Sequence, residues 1–289
     1  MTTDTHQPHT LPTHTVRVLA NKERIQASEE GNEVRELIFE IDDPDFQCEA
    51  GQSLGISAPL PPGSMETFHL RWYSVADAPA TDSHGRTTVT IFVRRVTIQH
   101  PETGKPVRGL ASNYLCNLKQ GDTVDVIGPY GIPFPMPEEN DATLLLIGVG
   151  TGIAPFRSFV KTLYNERPDW QGVIRLFYGT RNGLDMLYAN DPDEDVAQYF
   201  DQETFEALKA FSPPPHWADP ITWDMAYSER GSEMLKLLEK PNTYVYVAGR
   251  TAIGQNLDSL FSKLLNSENR WNQWKQDLQS AGRWVEMLY

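Results

Sequence analysis

The 289-residue sequence predicts two domains, an amino-terminal antiparallel β-barrel and a carboxyl-terminal α/β domain with a doubly wound parallel sheet. The length fits two domains of about 100–200 residues each. In the first half, short β-branched runs are separated by turn residues, as in antiparallel barrels or sandwiches. In the second half, continuously apolar runs alternate with helical patterns, which is typical of parallel strands covered by helices.

Five strands are predicted in the barrel, and two proline-rich loops interrupt the pattern because proline removes a ladder donor. The loops are residues 58–64 and 128–137, and the second marks the domain boundary. We therefore expect a flexible arm at residues 1–14, the barrel at 15–137 and the α/β domain at 138–289. The predicted strands are Thr15–Leu19, Val34–Ile41, Ser53–Ala58, Thr87–Arg95 and Thr123–Ile127.

The second half predicts a strand–helix alternation. The strands are Ala142–Ile147, Val173–Tyr178 and Thr243–Val247. The helices are Ala154–Asn165, Gln202–Phe211, Gly254–Leu265 and Asn266–Ala281. In the last helix, Trp271, Trp274 and Leu278 recur at helical spacing, which indicates a packing face.

Composition narrows the class of protein. The formal net charge of −14 argues against nucleic acid or an anionic membrane surface as a partner. No apolar run approaches the roughly 20 residues of a membrane span. The two cysteines do not form a disulfide framework, and no metal-ligand spacing is present, so no metal is predicted. The polar amino-terminal segment lacks a signal-peptide pattern, and we expect a cytoplasmic protein.

The sharpest local motif is a glycine loop, GVGTGIAPFRSF, which begins at Gly148 directly after an apolar strand and before a helix. Its glycines let the backbone approach a ligand, and the amides at the helix start favour an anion. The Lys-Ser/Thr end of an ATP-type loop is missing. A tight strand-to-helix turn is the alternative interpretation, but the context favours a pyrophosphate cradle.

Upstream, the tetrapeptide RWYS begins at Arg71. An arginine pairs with phosphate, a tyrosine ring stacks on a flat heterocycle, and a serine hydroxyl reaches a ring nitrogen. Taken alone, the tetrapeptide is also typical of a strand end. Further along, Gly109 precedes a helix start that is suited to a second phosphate contact.

The order of motifs resembles the plant-type ferredoxin–NADP reductase family over nearly the whole chain. The matching segments are RWYS, FVRR, GLASNYLCNLKQGD, VIGPYG, MPEENDAT, GVGTGIAPFRSF, FYGT, NTYVYVAG and WVEMLY. The resemblance implies a barrel that binds FAD and an α/β domain that binds NADP(H), with NAD(H) as the alternative. It also implies an FAD-dependent oxidoreductase whose partner is ferredoxin, flavodoxin or another one-electron carrier.

The resemblance further implies roles for individual residues. Arg71 would bind the FAD pyrophosphate, Tyr73 would stack on the flavin, and Ser74 would lie near the nitrogen that takes the hydride. Glu286 and Tyr289 join Ser74 as predicted catalytic residues, with Tyr289 covering the flavin until nicotinamide displaces it. The remaining FAD positions are Trp72, Phe92, Val93, Arg94, Leu110, Ala111 and Ser112, and the nucleotide positions are Thr151, Thr180, Arg181, Ser228, Arg230, Gly249 and Arg250.

Three departures from the family pattern matter. Ala248 replaces the usual cysteine near the nicotinamide, and Glu286 lies three residues before the end instead of two. In the family, the segment that binds the 2′-phosphate has Ser-Arg followed by Lys-x-Tyr. Here one residue separates Ser228 from Arg230, and no Lys-x-Tyr follows. The preference between NADPH and NADH therefore stays open. The alternative function is a flavin-binding electron-relay subunit of a larger complex, without a productive nicotinamide site.

An acidic carrier would dock on local basic residues, although the whole chain is acidic. The sequence offers seven candidates for this basic face, namely Arg94, Arg95, Lys105, Arg108, Lys119, Arg157 and Lys161.

Overall fold

The computed structural model describes residues 11–25, 33–60, 62–64, 68–99, 103–149, 152, 154–180, 205–211, 231–232, 234–249 and 251–288. The chain divides into two compact units. The first comprises Met1–Pro133 with Ala154–Thr162, and the second comprises Phe134–Ile153 with Leu163–Tyr289. Within the described ranges, no helix is long and apolar enough to cross a membrane.

The first unit is built on a seven-stranded antiparallel sheet. Its strands are β1 (Thr13–Ile25), β2 (Val34–Ile41), β3 (Ser53–Pro59), β4 (Phe68–Ser74), β5 (Ala80–Thr81), β6 (Thr87–Arg94) and β9 (Thr123–Tyr130). They lie in the order β4-β3-β9-β1-β2-β6-β5. Because β4 also contacts β6, the sheet curls toward closure. A short hairpin of β7 (Thr97–Gln99) and β8 (Pro106–Arg108) precedes helix α1 (Leu110–Asn117).

Side chains alternate between the two faces of this sheet. On β2, Leu37, Phe39 and Ile41 are at most 1% exposed, and they share one core with Ile91 and Val93 of β6. All five predicted barrel strands are present. Strand β1 begins two residues before its predicted start, and the RWYS tetrapeptide forms the second half of β4.

The second unit contains a five-stranded parallel sheet with the order β12-β11-β10-β13-β14. Its central strands are buried on both faces, as their continuous apolar runs predict. The strands are β10 (Thr143–Val149), β11 (Val173–Thr180), β12 (Phe205–Phe211), β13 (Thr243–Gly249) and β14 (Trp284–Leu288). Helix α2 (Ala154–Glu166) follows β10, and its residues Ala154–Thr162 belong to the first unit. The other helices of the second unit are α3 (Ala252–Leu264) and α4 (Glu268–Ser280), with a further helical stretch at 234–238.

The predicted helix Gln202–Phe211 is wrong. Residues Phe205–Phe211 form β12, which pairs in parallel with β11 from Ile174↔Phe205 to Thr180↔Phe211. The letters FEALKAF have good local helix propensity, but propensity is a weak preference that pairing with a sheet edge overrides. Strand β14 was not predicted either. It has only five residues, and it directly follows a segment with a clear helix pattern.

The predicted tryptophan-bearing helix is confirmed as α4. Trp271 is fully buried, stacks on Phe261 of α3 at 4.5 Å between ring centroids, and meets Trp284 of β14 edge-on at 5.4 Å. Ser267 caps the helix by accepting a hydrogen bond from the Arg270 amide. The tryptophans are therefore core residues of the second unit.

Candidate functional site

Strand β4 presents Arg71 and Tyr73 on one face. Their strand partners are Ile56 and Leu54, which are both fully buried in the core of the first unit. Tyr73 packs partly buried against this core, whereas the Arg71 side chain is exposed. Burial raises the pKa of the Tyr73 phenol above its ordinary value, so the ring stays neutral near neutral pH. An exposed guanidinium thus lies two residues from a neutral, half-buried ring.

Trp72 occupies the opposite face of β4. It covers Gly55, where an added Cβ would lie 2.9 Å from the tryptophan ring, and it packs on Tyr130 at 4.6 Å between centroids. Gly55 therefore has no room for a side chain. We predicted from the sequence that Arg71, Trp72 and Tyr73 belong to one site. Alternation along the strand places the side chain of Trp72 on the opposite face from those of Arg71 and Tyr73.

Strand β6 and helix α1 complete this region. Val93 is in the core, and its carbonyl oxygen accepts a hydrogen bond from the Cys116 thiol at 3.9 Å. Phe92 is buried on the other face of β6, and Arg94 is exposed at the strand end. Helix α1 packs against β3, β4 and β6. The three predicted FAD segments are thus brought together within the first unit.

The amino terminus of α1 has the features of an anion site. Gly109 precedes it in an extended conformation, no side chain caps it, and no acidic residue lies in its first turn. The amides of Leu110, Ala111 and Ser112 are first-turn donors, which have no acceptor inside a helix. The Leu110 side chain is 42% exposed, so this end is accessible. An uncapped helix start of this kind fits a phosphate group.

A hydrogen-bond network that the sequence did not reveal holds this helix end. Asn113 Nδ2 donates to the carbonyl oxygens of Gly109 at 2.8 Å and Val96 at 3.1 Å. Arg95 Nη1 donates to Asn113 Oδ1 at 2.9 Å, and Arg95 also pairs with the buried Glu33. The available signal was Asn113 itself, because asparagine inside a helix is unfavourable unless its side chain is used.

Glu33 stays ionised within this network. Burial alone would raise the pKa of its carboxyl group, but hydrogen bonds and charge from Arg95 and Arg35 outweigh burial and hold the pKa below its ordinary value. Arg95 is therefore committed to a structural ion pair rather than to a docking face.

A second ion-pair cluster in the first unit involves Asp77, three residues after Ser74. Its carboxylate accepts from Arg157 Nη2 at 3.1 Å and pairs with Lys161 Nζ at 2.8 Å, while its carbonyl accepts from the Ser158 hydroxyl at 2.9 Å. The Arg157 side chain is only 2% exposed. The prediction of Arg157 as a docking residue is therefore wrong, because a buried guanidinium cannot meet a protein partner.

In the second unit, Gly152 of the glycine loop lies against the carboxyl end of β13. An added Cβ at Gly152 would lie 2.4 Å from the Ala248 carbonyl oxygen. Strand β11, which follows β10 in the chain, lies on one side of β10, and β13 lies on the other side. The strand order therefore reverses at β10. Ligands of open α/β sheets bind at such a switch point, beyond the carboxyl ends of the strands.

Two further predicted nucleotide residues lie at this same edge. Gly249 ends β13 with φ of 143°, a conformation that favours glycine, and Thr180 ends β11. The remaining predicted positions lie outside the described residues, and they are Thr151, Arg181, Ser228, Arg230, Arg250 and Tyr289.

Glu286 lies on β14 with its carboxylate already engaged. Its Oε1 accepts from the Trp284 indole Nε1 at 2.7 Å and pairs with Lys275 Nζ at 2.8 Å. Lys275, on α4, is a residue that the sequence reading missed. The predicted catalytic role of Glu286 stays a prediction.

Comparison with known proteins identifies the family. A family model described as an oxidoreductase NAD-binding domain matches residues 146–257. A ferredoxin–NADP reductase from Spirulina sp. is 32% identical over 280 residues, which cover 94% of each chain. The chain belongs to the ferredoxin–NADP reductase family. The family member from Thermosynechococcus vestitus is 31% identical over 280 residues, covering 94% of this chain and 72% of the relative.

Solved structures of ferredoxin–NADP reductases share the fold. A structure of the reductase from Plasmodium falciparum superposes with a TM-score of 0.66 at 19% identity, covering 96% of both chains. A point mutant of that protein, in complex with 2'P-AMP, superposes with a TM-score of 0.70. The antiparallel sheet domain and the parallel α/β domain are therefore confirmed as the two-domain fold of this reductase family.

Proposed function

We propose that this reductase transfers electrons between NADPH and ferredoxin through bound FAD. The observation that carries the proposal is the 32% identity to a ferredoxin–NADP reductase across 94% of both chains. The relay-subunit alternative is not favoured, because the relatives that match nearly the whole chain are named ferredoxin–NADP reductases. NADH stays the alternative donor.

We assign FAD to residues 15–137 and the nucleotide to residues 138–289. Arg71 would neutralise the FAD pyrophosphate, the first-turn amides of α1 would donate to it, and Tyr73 would orient the ring system. The exposure of Arg71 and the uncapped start of α1 support this assignment. When bound, FAD supplies the exchange between hydride and single-electron chemistry.

Ser74 would hold the acceptor end of the ring system by a hydrogen bond, and Trp72 and residues 92–94 would support the rest of the FAD site. At the nucleotide edge, the backbone at Gly249 would admit the nucleotide closely, with Thr180 beside it. The roles of Thr151, Arg181, Ser228, Arg230, Arg250 and Tyr289 stay predictions from the family resemblance. So does the displacement of Tyr289 by nicotinamide.

Ferredoxin is the proposed partner because the relatives carry it in their names. Flavodoxin is a second proposed carrier of the same one-electron chemistry. A cytoplasmic location stays a prediction from composition, since two cysteines in 289 residues give no disulfide framework.

Anaerobic stopped-flow mixing tests the function. The FAD-loaded protein is mixed with NADPH and, separately, with NADH, and flavin absorbance is followed; ferredoxin is then added as the oxidant. We expect the flavin to bleach with NADPH and to reoxidise with ferredoxin. Absence of bleaching with both nucleotides contradicts the proposal and restores the relay-subunit alternative.

Arg71→Ala tests the FAD site. Loss of a charge-assisted hydrogen bond costs about 1.5–3 kcal/mol, so FAD should bind about 10- to 100-fold more weakly. Fluorescence titration of the apoprotein with FAD measures this, and Arg167→Ala in the second unit serves as the arginine control. If Arg71→Ala binds FAD as tightly as the parent does, Arg71 does not contribute to the FAD site.

A further inference from the structure

The carboxyl-terminal strand β14 directs one face toward helices α3 and α4. Trp284 and Leu288 both pack in the core that these helices form, and Glu286 lies between them. The Trp284 indole donates to Glu286 Oε1 at 2.7 Å, which fixes the carboxylate on this face. Strand alternation therefore places Met287, not Glu286, on the opposite face.

Lys275 of α4 closes the arrangement. Its Nζ lies 2.8 Å from Glu286 Oε1 and 2.9 Å from Asp258 Oδ1 of α3, and 5.4 Å from the centre of the Trp284 ring. The Lys275 side chain is 14% exposed and that of Glu286 is 21% exposed. Asp258 also accepts from the Trp271 indole at 2.8 Å. One ammonium group thus joins three elements of the second unit.

The charge of Lys275 is secure. Burial lowers its pKa, but hydrogen bonds and charge from Glu286 and Asp258 outweigh burial and raise the pKa above the ordinary value. Lys275 therefore stays charged throughout the neutral range.

The pair lies beside the proposed nucleotide edge. In the parallel register, Val247 faces Glu286 and Gly249 faces Leu288. Strand β14 therefore supports the last three residues of β13, including the two that line the edge against the glycine loop. Any shift of β14 is passed to that end of β13 through the ladder hydrogen bonds.

We infer that Glu286 and Lys275 form a positioning pair, which fixes β14 against α3 and α4 and thereby aligns the nucleotide-binding end of β13. The inference rests on the proposed function, because it assigns that end of β13 to the nucleotide. Glu286 acts through the strand rather than by carrying a proton.

A mutant cycle on the FAD-loaded protein tests the pair. Glu286→Gln, Lys275→Met and the double variant are titrated with NADP⁺ by the flavin difference spectrum, and flavin reduction is timed across pH. We expect both single variants to weaken NADP⁺ binding by a similar factor, about three- to tenfold, and the double variant to be no weaker than the worse single one. The pH profiles of the two single variants should coincide.

Lys275→Arg keeps the charge and should restore NADP⁺ affinity to within about twofold of the parent. Asp277→Asn, on the exposed face of the same helix, is the matched control and should bind as the parent does. Lys275→Gln replaces Lys275→Met if the latter does not retain FAD, since glutamine keeps a donor.

The inference is overturned if Glu286→Gln slows flavin reduction with an altered pH profile while Lys275→Met does not. It is also overturned if the two effects on NADP⁺ affinity multiply in the double variant. Failure of the proposed function is separate, because it shows in the parent as a flavin that neither nucleotide reduces.

Discussion

Ser74 is the last residue of β4, where it pairs with Ser53 and is half-buried. Ser74→Ala should slow flavin reduction by NADPH about 10- to 100-fold while FAD stays bound, because the loss of one aligning hydrogen bond misplaces the acceptor. Stopped-flow reduction at saturating NADPH gives the rate, and released flavin gives the FAD content.

Ser57→Ala on the neighbouring strand β3 is the matched control, because it removes a hydroxyl of similar burial outside the proposed site. Equal rates of flavin reduction for Ser74→Ala and the parent would show that Ser74 has no catalytic role.

At the residue scale, the sequence indicated the chemistry of the site but not the faces on which its side chains lie. The RWYS sequence predicted a cation, an aromatic ring and a hydroxyl group, and all three lie on β4. Because side chains alternate along a strand, Trp72 faces the opposite side from Arg71 and Tyr73. Glu286 shows the same difficulty. Its carboxylate direction depends on Lys275, a partner in another element, which no local pattern indicates.

At the scale of elements, Asn113 is the residue that anchors the start of α1. Asn113→Ala removes the donors to Gly109 and Val96, and we expect FAD to bind about tenfold more weakly because the first-turn amides lose their alignment. Riboflavin, which has no phosphate, should bind with unchanged affinity. Fluorescence titration of the apoprotein with both flavins measures the ratio.

Asn117→Ala is the matched control, since Asn117 accepts from the same Arg95 but makes no contact with Gly109 in the described network. Its FAD affinity should stay within about twofold of the parent. A parallel loss of FAD and riboflavin affinity in Asn113→Ala would indicate a general folding defect instead of a misaligned phosphate site.

The Glu33 ion pair predicts that the free energy of unfolding decreases at acid pH. Because the folded pKa lies below the unfolded one, the stabilisation is fully present above the unfolded value, near pH 4–5, and is lost as pH falls through the folded pKa. Glu33→Gln should therefore lower the free energy of unfolding at pH 7 by about 1.5–3 kcal/mol.

Urea unfolding at pH 7 and at about pH 3 measures this effect. The difference between Glu33→Gln and the parent should shrink at the lower pH, because the Glu33 carboxyl of the unfolded chain is protonated there. A difference that is equal at both pH values would show that Glu33 contributes without its charge.

Strands and helices with strong periodicity were predictable, and those that depend on a distant partner were not. Strand β2 alternates buried and less buried residues, and β10 is a continuous apolar run, so the residues of each strand indicate it directly. Strand β12 forms because β11 offers an edge about 30 residues earlier in the chain, and its helix-favouring letters give no sign of that edge. The glycine loop could be recognised from its own residues, and its role as a pyrophosphate cradle stays a prediction.

For the whole molecule, charge is the dominant global property. The net charge of −14 repels an acidic carrier at long range, so docking depends on exposed local cations. Arg95, Arg157 and Lys161 are held in ion pairs, while Lys105, Arg108 and Lys119 are exposed. The proposed docking face therefore has fewer candidate cations than the sequence offered.

Lys105→Glu combined with Arg108→Glu should slow the reduction of an acidic ferredoxin about tenfold at low ionic strength. The deficit should largely disappear at about 0.5 M salt, where screening shortens the range of the field. Lys240→Glu with Lys236→Glu, an equal charge change in the second unit, is the control. Equal slowing by both pairs would show that only net charge matters.

Position 152 admits glycine alone. A Cβ there would lie 2.4 Å from the Ala248 carbonyl oxygen and 2.8 Å from its carbonyl carbon, and these backbone atoms cannot rotate aside. Every amino acid that a single base change can substitute for glycine carries a Cβ. Any inherited variant that alters Gly152 must therefore be rescued by a second change that moves the end of β13. Such pairs are reached only through a poorly folded intermediate, so the amino acid at position 152 should change slowly, while the synonymous codons for glycine can interchange freely.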